Sequence, residues 1–198
     1  MQIIKMTDMK PGGRQQVAEI FVDAYYQELA PLEKNKDKLI RAFGHAFQEE
    51  VFFVALEEDQ PIGILACSHD AQRALRLEAS HLRKHLGFIK GSLAYSFMKK
   101  DFHKALSYPP GTGYIECVGT KKEARGKGAA TQLMAHLLNT LPYESYVLEV
   151  IDTNQTARGL YEKLGFVEVE RIPVKHPKRM GFKEKIYMKR SVENERSI

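Results

Sequence analysis

Glu123-Ala124-Arg125-Gly126-Lys127-Gly128-Ala129-Ala130-Thr131-Gln132-Leu133-Met134 reads as a loop that holds a pyrophosphate and then becomes a helix. Before it, Tyr114 to Thr120 is a short β-branched and apolar run typical of a strand; after it, Leu133, Leu137 and Leu138 recur at helical spacing. The stretch therefore sits at a strand-to-helix crossing. There Gly126 and Gly128 carry no Cβ, so backbone can approach a ligand closely. The free N–H groups of the first helical turn point at the anion with the helix dipole behind them. Arg125 and Lys127 add positive charge, and the whole points to a nucleotide-type cofactor.

Two familiar phosphate loops are excluded by spacing. A Walker loop requires Gly, four residues and Gly-Lys-Ser/Thr, and a dinucleotide fingerprint requires Gly-x-Gly-x-x-Gly near the start of a βαβ unit; neither is present here. The pattern R-x-x-G-x-A, carried by Arg125, Gly128 and Ala130, resembles instead the acyl-CoA pyrophosphate loop of the GNAT superfamily of N-acyltransferases.

A second stretch strengthens the resemblance. Tyr146 to Ile151 is another strand-like run, followed by helix punctuation: Asp152, Thr153 or Asn154 as a cap, Ala157, Leu160, Tyr161 and Leu164 on one face, and Gly165 as the stop. N-x-x-A-x-x-L-Y-E-K-L-G-F, from Asn154 to Phe166, is similar to the other signature of the superfamily. Both signatures stand in the right order between the right elements.

Composition agrees with one catalytic domain over 1–198. At 198 residues and 43% hydrophobic, the chain can bury a sizeable core, and no Pro-, Gly- or Ser-rich linker divides it. No signal-peptide block opens the sequence and no apolar run reaches membrane-spanning length, so a cytoplasmic protein without membrane contact is expected. Cys67 and Cys117 fall inside predicted strands as reduced, buried thiols.

The periodicities predict a strand at Ile3–Met6, helices over 13–29 and 38–47, and strands over 51–58 and 61–68 around an Asp59-Gln60 turn. Strands over 165–173 and 183–190 follow the second signature. Strands mixed with helices in this order give an α/β fold, and the resemblance implies a mixed, mostly antiparallel central sheet with helices on both faces. Residues 70–110 read as a helical insertion with two stripes, Leu75, Glu78, Leu82, Leu86 and Ala94, Met98, Phe102, Leu106, broken at Gly87 and Gly91. It is either a cover for the core or one wall of the acceptor pocket.

The formal net charge is +5, and basic residues cluster at Lys175, His176, Lys178, Arg179, Lys183, Lys185, Lys189 and Arg190. No nucleic-acid motif accompanies them, so no nucleic-acid partner is expected; a solvated strand face explains most of the cluster.

The resemblance implies acetyl-CoA as co-substrate and no metal. It places the pantetheine arm along Val118, Gly119 and Thr120, with the Val118 N–H as oxyanion donor, and the pyrophosphate on Arg125, Gly126, Lys127, Gly128, Ala129, Ala130 and Thr131. Tyr161 matches the tyrosine that protonates the leaving thiolate. Asn154 matches a polar residue that bonds the pantetheine or caps its helix. Strand alternation sets Glu116 on the face of Val118 and Thr120, which makes it the expected general base; Tyr114, His176 and water are alternatives. The expected reaction is direct transfer of acetyl to a primary amine of a small molecule or peptide, by a monomer or homodimer. The alternative is a catalytically idle acyl-CoA sensor or interaction module.

Overall fold

A computed structural model describes residues 1–69, 72–102 and 106–192. The first part of the chain runs β1 (Gln2–Lys5), α1 (Gly13–Ala24), α2 (Tyr26–Leu29), α3 (Lys36–Phe43), β2 (Phe52–Glu57), β3 (Gln60–Ser68), α4 (Ala79–Leu86) and α5 (Phe88–Phe102). The second runs β4 (Thr112–Thr120), α6 (Ala129–Thr140), β5 (Ser145–Ile151), α7 (Gln155–Lys163), β6 (Val167–Pro173), α8 (Pro177–Met180) and β7 (Glu184–Ser191).

All seven strands form one sheet in the order β1-β2-β3-β4-β5-β7-β6. Every pairing is antiparallel except β4 with β5. A parallel pair needs a crossover, and α6 supplies it. Two apolar layers follow from strand alternation. Val17, Ile20 and Phe21 of α1 and Leu39 and Phe43 of α3 pack with Val54, Ile64 and Ala66 on one face. Leu133, Met134 and Leu137 of α6 and Tyr161 of α7 pack with Leu65, Ile115, Leu148 and Ile186 on the other. Among the described residues no helix is long and apolar enough to cross a membrane.

The structure departs from the sequence reading in small, explicable ways. The β2–β3 turn is Glu58-Asp59 rather than Asp59-Gln60: both residues take positive φ (50° and 61°), the twist a two-residue hairpin demands, and Gln60 pairs with Glu57. The helix predicted over 13–29 breaks at Tyr25, whose φ of −106° and ψ of 19° are not helical. Of the insertion, Asp70, Ala71 and residues 103–105 lie outside the described residues. Leu82, Leu86, Ala94 and Met98 are buried as the stripes require, whereas Leu75 precedes α4 and bridges to Phe47.

The two insertion glycines play different parts. Gly87, at φ 85°, is the break between α4 and α5. Gly91 lies inside α5, where a Cβ would stand 2.5 Å from both Arg83 N and Leu82 O, so its missing side chain lets the two helices touch. Gly91→Ala sets two effects against each other: alanine's helix propensity gains about 1 kcal/mol, and overpacking costs about 1–3 kcal/mol. Because the obstruction is backbone, overpacking wins and the urea midpoint falls; a raised midpoint contradicts this packing.

Candidate active site

β4 and β5 pair through Thr112↔Ser145, Gly113↔Tyr146, Tyr114↔Val147 and Ile115↔Leu148. Among the described residues no pair between them follows, although β4 continues along β3 to Thr120 and β5 along β7 to Ile151. The two strands splay at Ile115 and Leu148. A cleft of about 570 Å³ opens there, lined by β4, β5 and β7 residues together with Tyr25, Arg73, Phe102, the 106–109 segment and Tyr161.

A bulge in β4 adjoins the splay. Ala66 pairs with Glu116 but Ile64 pairs with Gly119, so Leu65 faces two residues, and Cys117 takes a φ of 57°. The extra residue resets the alternation. Cys117 belongs to the layer under α1, Ile115 and Val118 to the layer under α6, and Glu116, opposite Ala66, shares the α1 side with Cys117. The expectation that Glu116 shares a face with Val118 and Thr120 is corrected: regular alternation does not survive a bulge.

Glu116 is also heavily engaged. Its Oε1 accepts from Arg73 Nε (3.2 Å), from the Ala74 N–H (3.1 Å) and from the Ser68 hydroxyl, and its Oε2 accepts from an Arg73 guanidinium nitrogen at 2.9 Å. The side chain is only 9% exposed and that of Arg73 15%. The other carboxylate at the splay, Glu149, is 24% exposed and takes one donor on each oxygen: Tyr187 OH on Oε2 at 2.7 Å and Lys185 Nζ on Oε1 at 3.0 Å. It lies one residue past the last β4–β5 pair, on the cleft side. Sequence reasoning passed over Glu149; its signal was a carboxylate in an otherwise apolar strand run. Tyr25 falls within the helix predicted over 13–29, and its hydroxyl donates to Val118 O at 3.4 Å.

The 125–131 loop combines glycine backbone at positive φ with the start of a helix. Gly128 caps α6 at φ 83° and Gly126 stands at φ 79°, conformations that glycine adopts without strain. A Cβ at either would meet nothing within 4 Å, so the loop surface is open for close approach by a ligand. The first intrahelical bond runs from Gln132 N to Gly128 O, which leaves the N–H groups of Ala129, Ala130 and Thr131 as the orphan donors of the helix start. Arg125 is exposed, while Lys127 is drawn aside to Glu57 at 2.8 Å, so less of its charge faces the loop than composition suggests. These donors and glycines fit a pyrophosphate.

Tyr161 is 6% exposed and lines the cleft, and burial pushes its phenol up to about 12, so it carries its proton throughout the neutral range. The Asn154 side-chain oxygen accepts from Ala157 N at 3.1 Å, the capping alternative of its two expected roles. Thr120 and Gly119 continue β4; a Cβ on Gly119 would stand 2.8 Å from that of Ala24, so this glycine admits α1 to the sheet. Burial drives the Tyr114 phenol far above its usual range, which removes it as a base. His176 caps α8, beside Lys175 and Lys178 and outside the cleft lining. Lys185 and Lys189 of the basic cluster line the cleft rather than a free strand face. Cys67 and Cys117 are buried and free, and burial raises the Cys67 thiol to about 12 and holds the Cys117 thiol well above its usual value.

The acetyltransferase (GNAT) family model matches residues 14–166, which span both signatures and the splay. The chain belongs to this family. Its relative N-alpha-acetyltransferase 30 of Schizosaccharomyces pombe (strain 972 / ATCC 24843) is 28% identical over 135 residues, 67% of each protein. The fold is similar to an N-acetyltransferase from Staphylococcus aureus Mu50, with a TM-score of 0.60 and 17% identity, over 96% of this chain and 100% of that one. It is also similar to the ribosomal-protein-S18-alanine N-acetyltransferase from Escherichia coli, with a TM-score of 0.57 and 14% identity, over 100% and 98%.

Gly128→Glu tests the loop. A side chain at positive φ, with a carboxylate facing the anion site, should abolish CoA binding in calorimetry while circular dichroism stays that of a folded protein. Unchanged affinity in the folded variant contradicts the assignment.

Proposed function

We propose that this protein transfers an acetyl group from acetyl-CoA to a primary amine by direct attack in a ternary complex, with the α-amine of a peptide as acceptor. The observation that carries the reading is the splay of β4 from β5 between an open glycine loop and a buried, protonated tyrosine. The Nα-acetyltransferase relative favours the peptide α-amine over other amines. Buried, unbridged cysteines agree with a cytoplasmic setting.

In this reading the pyrophosphate lies over Gly126 and Gly128 on the N–H groups of Ala129, Ala130 and Thr131, with Arg125 and Lys127 nearby, and the pantetheine pairs with β4 at Val118, Gly119 and Thr120. The thioester carbonyl then lies in the splay. The amine nitrogen attacks the carbonyl carbon, the oxyanion takes the Val118 N–H, and the amine proton passes to Glu149 directly or through water. As the carbon–sulfur bond breaks, the Tyr161 hydroxyl donates its proton to the thiolate and is reprotonated from solvent. Glu149 suits the base role better than Glu116, because fewer donors occupy its oxygens and it is more open to the acceptor.

A free-thiol release assay with acetyl-CoA over peptides, lysine derivatives and small amines tests the proposal. Turnover with peptide α-amines is expected; CoA binding without turnover on any acceptor would make the protein a sensor. Tyr161→Phe keeps the ring and should cost no more than about 1–2 kcal/mol of stability. Its turnover should fall roughly 10²-fold or more at unchanged acetyl-CoA affinity. Since burial pushes the Tyr161 phenol up to about 12, the rate should rise with pH as the amine deprotonates and should not fall again through loss of the Tyr161 proton below the strongly alkaline range. Glu149→Gln should lower neutral-pH turnover by roughly 10²- to 10⁴-fold, with partial recovery at high pH, where the amine arrives neutral. Wild-type rates in either variant reassign that residue.

A further inference from the structure

We propose that Arg73 is a positioning residue, one half of a buried clasp that fixes the β4 bulge and through it the direction of the Val118 N–H. Its kinetic consequence rests on the acetyl-transfer reading above. Glu116 is the first β4 residue beyond the last pair with β5, so at that point the strand has lost one of its two neighbours. The next residue, Cys117, is held at φ 57°, a region that L-residues without special support seldom occupy. Such backbone persists only where its surroundings over-determine it.

The clasp supplies that over-determination. Glu116 is gripped from β3 by the Ser68 hydroxyl, and from the segment after β3 by the Ala74 N–H and both prongs of the Arg73 fork. The guanidinium also lies 5.5 Å over the Tyr114 ring, which stacks on Tyr108 at 5.7 Å. One arginine thus ties the reacting strand to the beginning and end of the insertion, and both lining segments of the acceptor side are fixed relative to the bulge. A lysine carries the charge without the planar fork and cannot repeat the two-point grip.

The experiment compares wild type with Arg73→Met, Arg73→Lys, Glu116→Gln and the double variant Arg73→Met/Glu116→Gln. It reads turnover, acetyl-CoA affinity, the pH–rate profile and amide hydrogen exchange over 114–120. Arg73→Met should lower kcat roughly 10- to 100-fold, the scale of a small misplacement of reacting groups, and speed exchange over 114–120, with acetyl-CoA affinity and the limbs of the pH profile unmoved. Arg73→Lys should recover part of the rate, and the double variant should be faster than Arg73→Met because no lone buried carboxylate remains. Exchange and kcat equal to wild type in Arg73→Met overturn the clasp. So does a Glu116→Gln enzyme that loses the acidic limb, since Glu116 would then be the base. If wild type turns over no amine, the acetyl-transfer reading fails separately, and the clasp is then decided by exchange alone: faster over 114–120 supports it and unchanged exchange overturns it.

Discussion

Backbone N–H and C=O groups that lose their sheet partner must find another or cost free energy, and the β4–β5 splay creates a row of them inside the fold. Everything distinctive about the site follows from that break. β3 holds the far side of β4 and β7 the far side of β5, so the two strands part without fraying. α6 must leave the end of β4 and return to the start of β5, which sets its N-terminal donors at the same end of the sheet as the splay. α7 leaves the end of β5, packs in the same layer as α6 and brings Tyr161 to the cleft.

The two carboxylates at the splay show how environment assigns roles to similar groups. Glu116 is nearly sealed from water and acts as an acceptor for four donors; removing one partner of such a buried pair costs about 3–5 kcal/mol, because the other charge is stranded. Glu149 is more open, with one donor per oxygen, an arrangement that holds its orientation while leaving lone pairs for an incoming proton. Burial raises both phenols: it keeps Tyr161 protonated, as the proposed donor to a departing thiolate requires, and holds Tyr114 far above its usual range.

Much of this was legible in the sequence because it rests on local chemistry. Gly126 and Gly128 announce positive φ and close approach, Asn154 and Gly165 bracket a helix, and the apolar runs mark strands from β1 to β7. What was not legible depends on pairings between distant segments. The bulge arises from the register of β4 against β3, which no periodicity within β4 reveals, and it turned Glu116 to the other face. Arg73 meets Glu116 across 43 residues of sequence, and Glu149 gains its meaning only where Leu148 makes the last pair with Ile115. Gly91 looked like a helix break because sequence displays its flexibility and hides the helix that crosses over it.

In the proposed complex the pantetheine arm of the donor completes the unpaired edge of β4, and a crystal structure of the protein with acetyl-CoA checks this. The arm is expected to be hydrogen-bonded to the β4 backbone at Val118–Thr120, with the pyrophosphate over Gly126 and Gly128 on the N–H groups of Ala129–Thr131 and the thioester beside Tyr161 and Glu149. Acetyl-CoA bound elsewhere, for example along the basic Lys175–Lys178 surface with β4 untouched, would contradict it.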